Sequence, residues 1–227
     1  MVVDESGKRS KKSKLDMAGA SVQGMGGRLS IIVSGLPAVG KTTVAKAIAD
    51  RFNLRYYSGG DILKELAIAR GYMHAGSDWW DREHGIRFLE ERESNPEFDR
   101  YVDDRLMALV RKGGVVVTSY TLPWLMESES EVVKILLKGS REKRAERMSA
   151  RDAIPYEEAL RIVTIRDERN KRLYRSLYNI DLCRDTHVFD FVISTDDLEA
   201  ESVIDIACNI VGHLIRGMGK GGHDARL

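Results

Sequence analysis

Gly35-Leu36-Pro37-Ala38-Val39-Gly40-Lys41-Thr42-Thr43 is the stretch whose residue types and spacing most directly imply chemistry. It fits G-x-x-x-x-G-K-[ST], a loop whose glycines let backbone N–H groups curl around a phosphate. The helix that follows would add the positive end of its dipole. In that arrangement Lys41 neutralises the β- and γ-phosphate oxygens, and the Thr42 hydroxyl is placed for Mg²⁺. The segment predicts a site formed by Gly35, Leu36, Pro37, Ala38, Val39, Gly40, Lys41, Thr42 and Thr43, with a nucleoside triphosphate and Mg²⁺ as its ligands.

A cradle of this kind needs a strand before it and a helix after it, and the flanking sequence supplies both. Leu29–Ser34 is a short apolar run ending in glycine, read as a buried strand. Lys41–Phe52 repeats Val44, Ala45, Ile48, Ala49 and Phe52 at helical spacing. Further along, strands are predicted at Leu54–Tyr57, Val115–Val117, Val132–Leu137 and Phe191–Ile193. Helices are predicted at Asp61–Arg70, Asn95–Arg111, Pro155–Arg175 and Asp197–Arg216, the last with Thr195 or Asp196 as N-cap. Strands alternating with helices of this length imply right-handed βαβ units and a parallel sheet covered on both faces. The expected organisation is one α/β domain over residues 29–216, with a disordered basic extension at 1–28 and a flexible tail at 217–227.

Two absences narrow the use of the triphosphate. No N-K-x-D segment appears for reading guanine, and the strands before Thr118 and Gly139 end without the carboxylate usual in motor ATPases. Segment 141–175 instead holds nine arginines and two lysines against seven acids. Arginine is the better bidentate phosphate ligand, and phosphoryl transfer is largely positioning and charge neutralisation. Arg166, Arg169 and Arg172 fall near one helical face, as do Arg144, Arg147 and Arg151. The reading is an Arg-rich lid over 141–175 with Arg151, Arg166 and Arg172 as catalytic candidates; the alternative is a solvated helix laced with ion pairs.

Asp61 follows the second strand and would sit beside the phosphate loop. It is a candidate for a Mg²⁺ water, a ribose hydroxyl, or the N-cap of the next helix. Trp79-Trp80 is read as a core cap, with base stacking as the alternative. Asp103 and Asp104 are read as helix surface, with an acceptor-site role as the alternative.

Composition sets outer limits. The 227 residues carry 36 Lys+Arg against 35 Asp+Glu, a net charge of +1, with 43% hydrophobic residues. That excludes a disordered chain and gives no global reason to expect nucleic-acid binding. Two cysteines, Cys183 and Cys208, cannot build a disulfide framework. No apolar run approaches the ~20 residues needed to span a bilayer. The expectation is a cytoplasmic monomer that binds small-molecule nucleotides and neither membrane nor nucleic acid.

Beyond the phosphate loop, the run Tyr57-Ser58-Gly59-Gly60-Asp61-Ile62-Leu63-Lys64-Glu65-Leu66-Ala67 resembles the archaeal-type cytidylate kinases of the nucleoside-monophosphate kinase superfamily. So do Asn95-Pro96-Glu97-Phe98-Asp99-Arg100 with Val102-Asp103, Trp124-Leu125, Arg144-Ala145-Glu146-Arg147-Met148 with Arg151, and Arg172, Tyr174, Tyr178, Ile180 and Asp181. The resemblance is colinear over about Leu29–Ile215. It implies a three-layer P-loop kinase fold with a five-stranded parallel sheet, acceptor-binding helices in 71–111 and a short lid. It also implies transfer of a phosphoryl group from ATP to CMP or dCMP. Ser58, Asp61, Lys64 and Tyr120 are carried over as acceptor-side residues. Lys64 stands where the family usually has an arginine. Thr118-Ser119-Tyr120 replaces the usual Glu-Gly-Arg, removing an acid and a guanidinium. Kinases for AMP, UMP or dTMP, and a non-catalytic nucleotide-binding regulator, remain alternatives at this point. Deleting residues 1–28 is expected to leave turnover unchanged in a kinase assay; a large loss would give the basic arm a role.

Overall fold

The computed structural model describes residues 29–72, 79–81, 83–182 and 184–220. The extension 1–28, the tail beyond Lys220, part of the 71–93 segment and Cys183 lie outside them. Five parallel strands, β1 (Ser30–Ser34), β2 (Arg55–Ser58), β3 (Val115–Thr118), β4 (Val132–Lys138) and β5 (Phe191–Ser194), form one sheet in the order β2-β3-β1-β4-β5. Among the described residues there are eight α-helices: α1 (Lys41–Phe52), α2 (Gly59–Ala69), α3 (Glu83–Ser94), α4 (Glu97–Lys112), α5 (Leu122–Leu125), α6 (Arg141–Asp152), α7 (Tyr156–Tyr178) and α8 (Ala200–Lys220). A 3₁₀ turn spans Trp79–Asp81.

The central strand explains the layering. All five residues of β1 are buried, as expected of a strand covered on both faces. Side chains alternate across the pleat. Ile31 and Val33 pack with Val44 and Ile48 of α1 and Ala207 and Val211 of α8. Ile32 faces the other way, onto Ile62 of α2, Phe88 of α3 and Val102 and Leu106 of α4. The carboxyl ends of β1, β3 and β4 come level because Val33 pairs with Thr118 and Ile135. The loops that leave these ends therefore converge on one edge of the sheet, the usual ligand crevice of open α/β sheets.

Three local expectations change. α2 begins at Gly59, with Ser58 as its N-cap accepting from the Asp61 amide at 3.2 Å; the Asp61 N-cap reading is therefore replaced. α8 starts at Ala200, because Thr195 and Asp196 are used elsewhere: Arg147 donates to Thr195, and Asp196 accepts from the Ser140 amide at 2.7 Å. The 71–93 segment contains a helix, α3, that lacks a clear start signal and is anchored by Phe88 and Leu89 in the second core.

Segment 141–175 folds as a hairpin of α6 and α7 with a small core of its own, built on Ala145, Met148, Ala159, Ile162 and Val163. One buried pair holds this hairpin to the sheet. Arg144 donates two bonds to Asp167 at 2.9 and 2.6 Å, one to the Pro37 carbonyl at 3.1 Å and one to the Gly139 carbonyl at 3.1 Å. Both side chains are almost fully buried. Removing one partner of such a pair strands the other charge. Arg144→Ala should therefore lower stability by about 3 kcal/mol or more, read as a shifted urea midpoint with unchanged slope; a midpoint within experimental error of the parent would contradict this role.

Candidate active site

The phosphate loop runs from the end of β1 into α1. Gly35 has φ 145°, and a Cβ there would collide with the Leu137 carbonyl, so this position requires glycine. Ala38 (φ 60°) and Gly40 (φ 101°) complete the curl. The Lys41 ammonium donates to the Leu36 carbonyl of its own loop at 2.8 Å. It also lies 4.9 Å from the centre of the Tyr120 ring. Burial, reinforced by the positive charges of Arg166 and Arg144 and opposed by Asp167, brings Lys41 down to about 7.

From this cradle a cavity of about 350 Å³ extends toward α4. Pro37, Ala38, Lys41, Thr42, Ser58, Asp61, Lys64, Tyr120, Arg151 and Arg166 all line it, so ten predicted site residues meet in one space. Its floor contains groups that sequence reasoning missed. Arg92 of α3 grips Asp99 of α4 through Nε and Nη2 at 3.0 and 2.6 Å, and also donates to the Tyr174 hydroxyl at 2.9 Å. Asp103, one turn on, accepts from Thr121 at 2.6 Å and from Tyr178 at 2.8 Å. Asp103 is 5% exposed, which replaces the helix-surface reading, whereas Asp104 is exposed as expected. Burial pushes Asp103 up to about 7 despite those two hydrogen bonds.

The spacing set these acids beside a core face without deciding whether they are buried. Asp99 and Asp103 stand four apart, beside the apolar stripe Phe98, Val102 and Leu106 of α4. Acids on a buried helical face need a reason to be there. Of the tryptophan pair, Trp79 is fully buried core, while Trp80 lines the cavity with the Arg92 guanidinium 5.8 Å from its ring.

The arginine-rich segment divides by role. Arg144 is the buried anchor described above, and Arg147 is bound to Thr195 after β5. Arg151 faces the cavity while pairing with Asp152 at 2.6 Å, and Arg166 lines it from α7. Arg172 does not join them. Its side chain is 69% exposed, pairs with Glu93 at 3.5 Å and borders a separate groove with Pro96 and Arg100. The helical repeat that groups Arg166 with Arg172 fails here because six residues is well short of two full turns, which rotates Arg172 away from the cavity.

Thr42 and Asp61 are the cavity's candidate magnesium groups. Among the described residues no cluster of three or more His, Cys, Asp or Glu could hold a metal ion. One hydroxyl and one exposed carboxylate fit a magnesium ion that arrives on phosphate oxygens and keeps most of its waters. They do not fit an ion caged by protein alone.

A lysine near 7 that must be charged to hold a polyphosphate takes up a proton when the polyphosphate binds. At pH 8.5, where ATP phosphates are fully ionised, titration of ATP into the protein should draw protons from the buffer. The binding enthalpy should then vary with buffer ionisation enthalpy, and affinity should fall by about tenfold per pH unit above 8. Binding without proton uptake would contradict a neutral resting Lys41.

The comparisons with known proteins agree with this geometry. Residues 30–197 match the model of the cytidylate kinase-like family. A cytidylate kinase of Pyrobaculum islandicum is 38% identical over 186 residues, covering 80% of this chain and 94% of its own length. A cytidylate kinase of Methanocaldococcus jannaschii is 32% identical over 186 residues, covering 81% and 98%. Among solved structures, an uncharacterised protein from Eubacterium ventriosum superposes with a TM-score of 0.54 at 15% identity, covering 81% of this chain and 98% of its own. A shikimate kinase from Bacteroides thetaiotaomicron gives 0.50 at 15%, covering 83% and 98%; at such identity these two likenesses speak for the fold alone. On the family match and the curated relatives together, the chain belongs to the cytidylate kinase-like family.

Proposed function

We infer that this chain transfers the γ-phosphoryl group of ATP to CMP or dCMP, giving ADP and the corresponding diphosphate. The observation that carries the reading is the single cavity that joins the phosphate loop to a floor of buried hydrogen-bonding groups, in a chain whose relatives are named cytidylate kinases. A 350 Å³ space next to the cradle suits a nucleoside monophosphate whose phosphate meets the γ-phosphate. The other monophosphates and a non-catalytic regulator are not favoured, because those relatives carry one consistent activity in their names.

The division of labour follows from charge. The loop amides and Lys41 hold the β- and γ-phosphates, with Lys41 leaving the Leu36 carbonyl to do so. Lys64, Arg151 and Arg166 border the same space and would neutralise the acceptor phosphate and the equatorial oxygens of the transferred group. An acceptor phosphate oxygen attacks the γ-phosphorus as the bond to the β-bridging oxygen breaks, and ADP departs with that electron pair. The nucleophile is already an anion near neutral pH, its second pKa being about 6. No general base is required, so Thr118-Ser119-Tyr120 in place of an acid does not remove a catalytic proton acceptor. Magnesium, carried in on the triphosphate beside Thr42 and Asp61, would add charge neutralisation.

The donor and acceptor are taken to be free nucleotides, acted on by a cytoplasmic monomer without nucleic acid. Among the described residues no helix is long and apolar enough to cross a membrane. An ADP-release assay over CMP, dCMP, UMP and AMP should give the highest kcat/KM with the cytidine nucleotides. Lys41→Ala should lower kcat by about a thousandfold with an unchanged circular dichroism spectrum. CMP turned over no better than AMP would refute the acceptor assignment, and near-normal turnover in Lys41→Ala would refute the cradle.

A further inference from the structure

Asp103 is chemically out of place. Its carboxylate is buried, yet both of its partners, Thr121 and Tyr178, are neutral hydroxyls. The Arg92 guanidinium, which lines the same cavity, is committed to Asp99 through two nitrogens and to Tyr174. A buried carboxylate without a cationic partner is costly unless something else completes it. Thr121 occupies Oδ1 and Tyr178 occupies Oδ2, and each oxygen keeps a further lone pair. Asp103 lines the cavity floor, so a donor arriving with a ligand can reach those lone pairs.

The cavity is also polarised. Lys41, Arg151 and Arg166 line it from α1 and the α6–α7 hairpin, whereas Arg92, Asp99 and Asp103 line it from α3 and α4. Tyr120 stands between the two groups: Lys41 lies 4.9 Å from its ring, and the ring of Tyr174, which donates to Asp99, lies 5.7 Å from it. A nucleoside monophosphate therefore enters with its phosphate toward Lys41, Lys64, Arg151 and Arg166 and its base toward α4. Cytosine presents an amine at N4, whereas the O4 position of uracil or thymine is an acceptor. In its ionised form, which a donating amine favours, the Asp103 carboxylate only accepts, so it attracts the first and repels the second. We propose that Asp103, held by Thr121 and Tyr178, is the specificity residue that accepts a hydrogen bond from the cytosine N4 amine and excludes uracil. This rests on the CMP reading above and names the group that would enforce it.

The test compares CMP with pyrimidin-2-one ribonucleoside monophosphate, which differs from it only in lacking the amine, at saturating ATP. The wild-type chain should favour CMP by about 30-fold or more in kcat/KM. In Asp103→Ala the two acceptors should come within about threefold of each other while the KM for ATP stays unchanged. Asp103→Asn, which keeps shape without charge and can turn its amide nitrogen toward a carbonyl, should lower the CMP-to-UMP preference by about tenfold. It serves as the deciding variant if the alanine protein does not fold. A purely structural Asp103 would depress all acceptors equally and leave both ratios where they were, and that result overturns the proposal. A wild-type chain that phosphorylates other monophosphates but not CMP overturns the CMP reading and this inference together. A CMP-specific wild type whose preference survives the substitutions overturns this inference alone.

Discussion

The Arg144–Asp167 pair is the contact on which the rest of the site depends. One guanidinium joins α6, α7, the phosphate loop through the Pro37 carbonyl and the end of β4 through the Gly139 carbonyl. A hydrophobic contact could bring these elements together, but it would not fix the angle of the hairpin to the loop. A buried, fully hydrogen-bonded fork does fix it, because any rotation leaves a charge unpaired in a poor dielectric. That angle is what aims Arg151 and Arg166 into the cavity. The same positive charge helps depress Lys41, so binding of a polyphosphate there is coupled to its protonation.

The cavity that results sorts charge along its length. Near the cradle Lys41, Lys64, Arg151 and Arg166 outnumber Asp61; near α4 stand two carboxylates, one of them neutralised by Arg92. A net charge of +1 conceals this, since it averages a positive hairpin against an acidic remainder. Orientation of an acceptor follows without a moving part. On the proposed reading, charge places its phosphate and the hydrogen-bonding floor receives its base.

The phosphate loop and the strand–helix alternation were legible in the sequence, because a rare spacing and a strong period each leave few alternatives. The acceptor floor was not. Asp99 and Asp103 are four apart on α4, and on a helix read alone that spacing suits a solvated face as well as a buried one. What decides between them is Tyr174 and Tyr178, some 75 residues away on α7. The arginines of 141–175 have the same difficulty. Periodicity grouped Arg144 with Arg151 and Arg166 with Arg172, but burial separated each pair into an anchor or bystander and a cavity residue. Tyr120 was singled out as a departure from the family pattern; its ring beside the Lys41 ammonium is a contact no spacing could indicate.

The central claim is that one cavity receives donor and acceptor nucleotides together, with their phosphates meeting at Lys41. Inhibition by adenosine and cytidine joined through a polyphosphate chain tests it most directly. Such a compound should compete with both ATP and CMP and bind with one-to-one stoichiometry, more tightly than either nucleotide alone. Competition with ATP only, at an affinity no better than that of ATP itself, would show that the floor beneath Tyr120 is not where the acceptor binds.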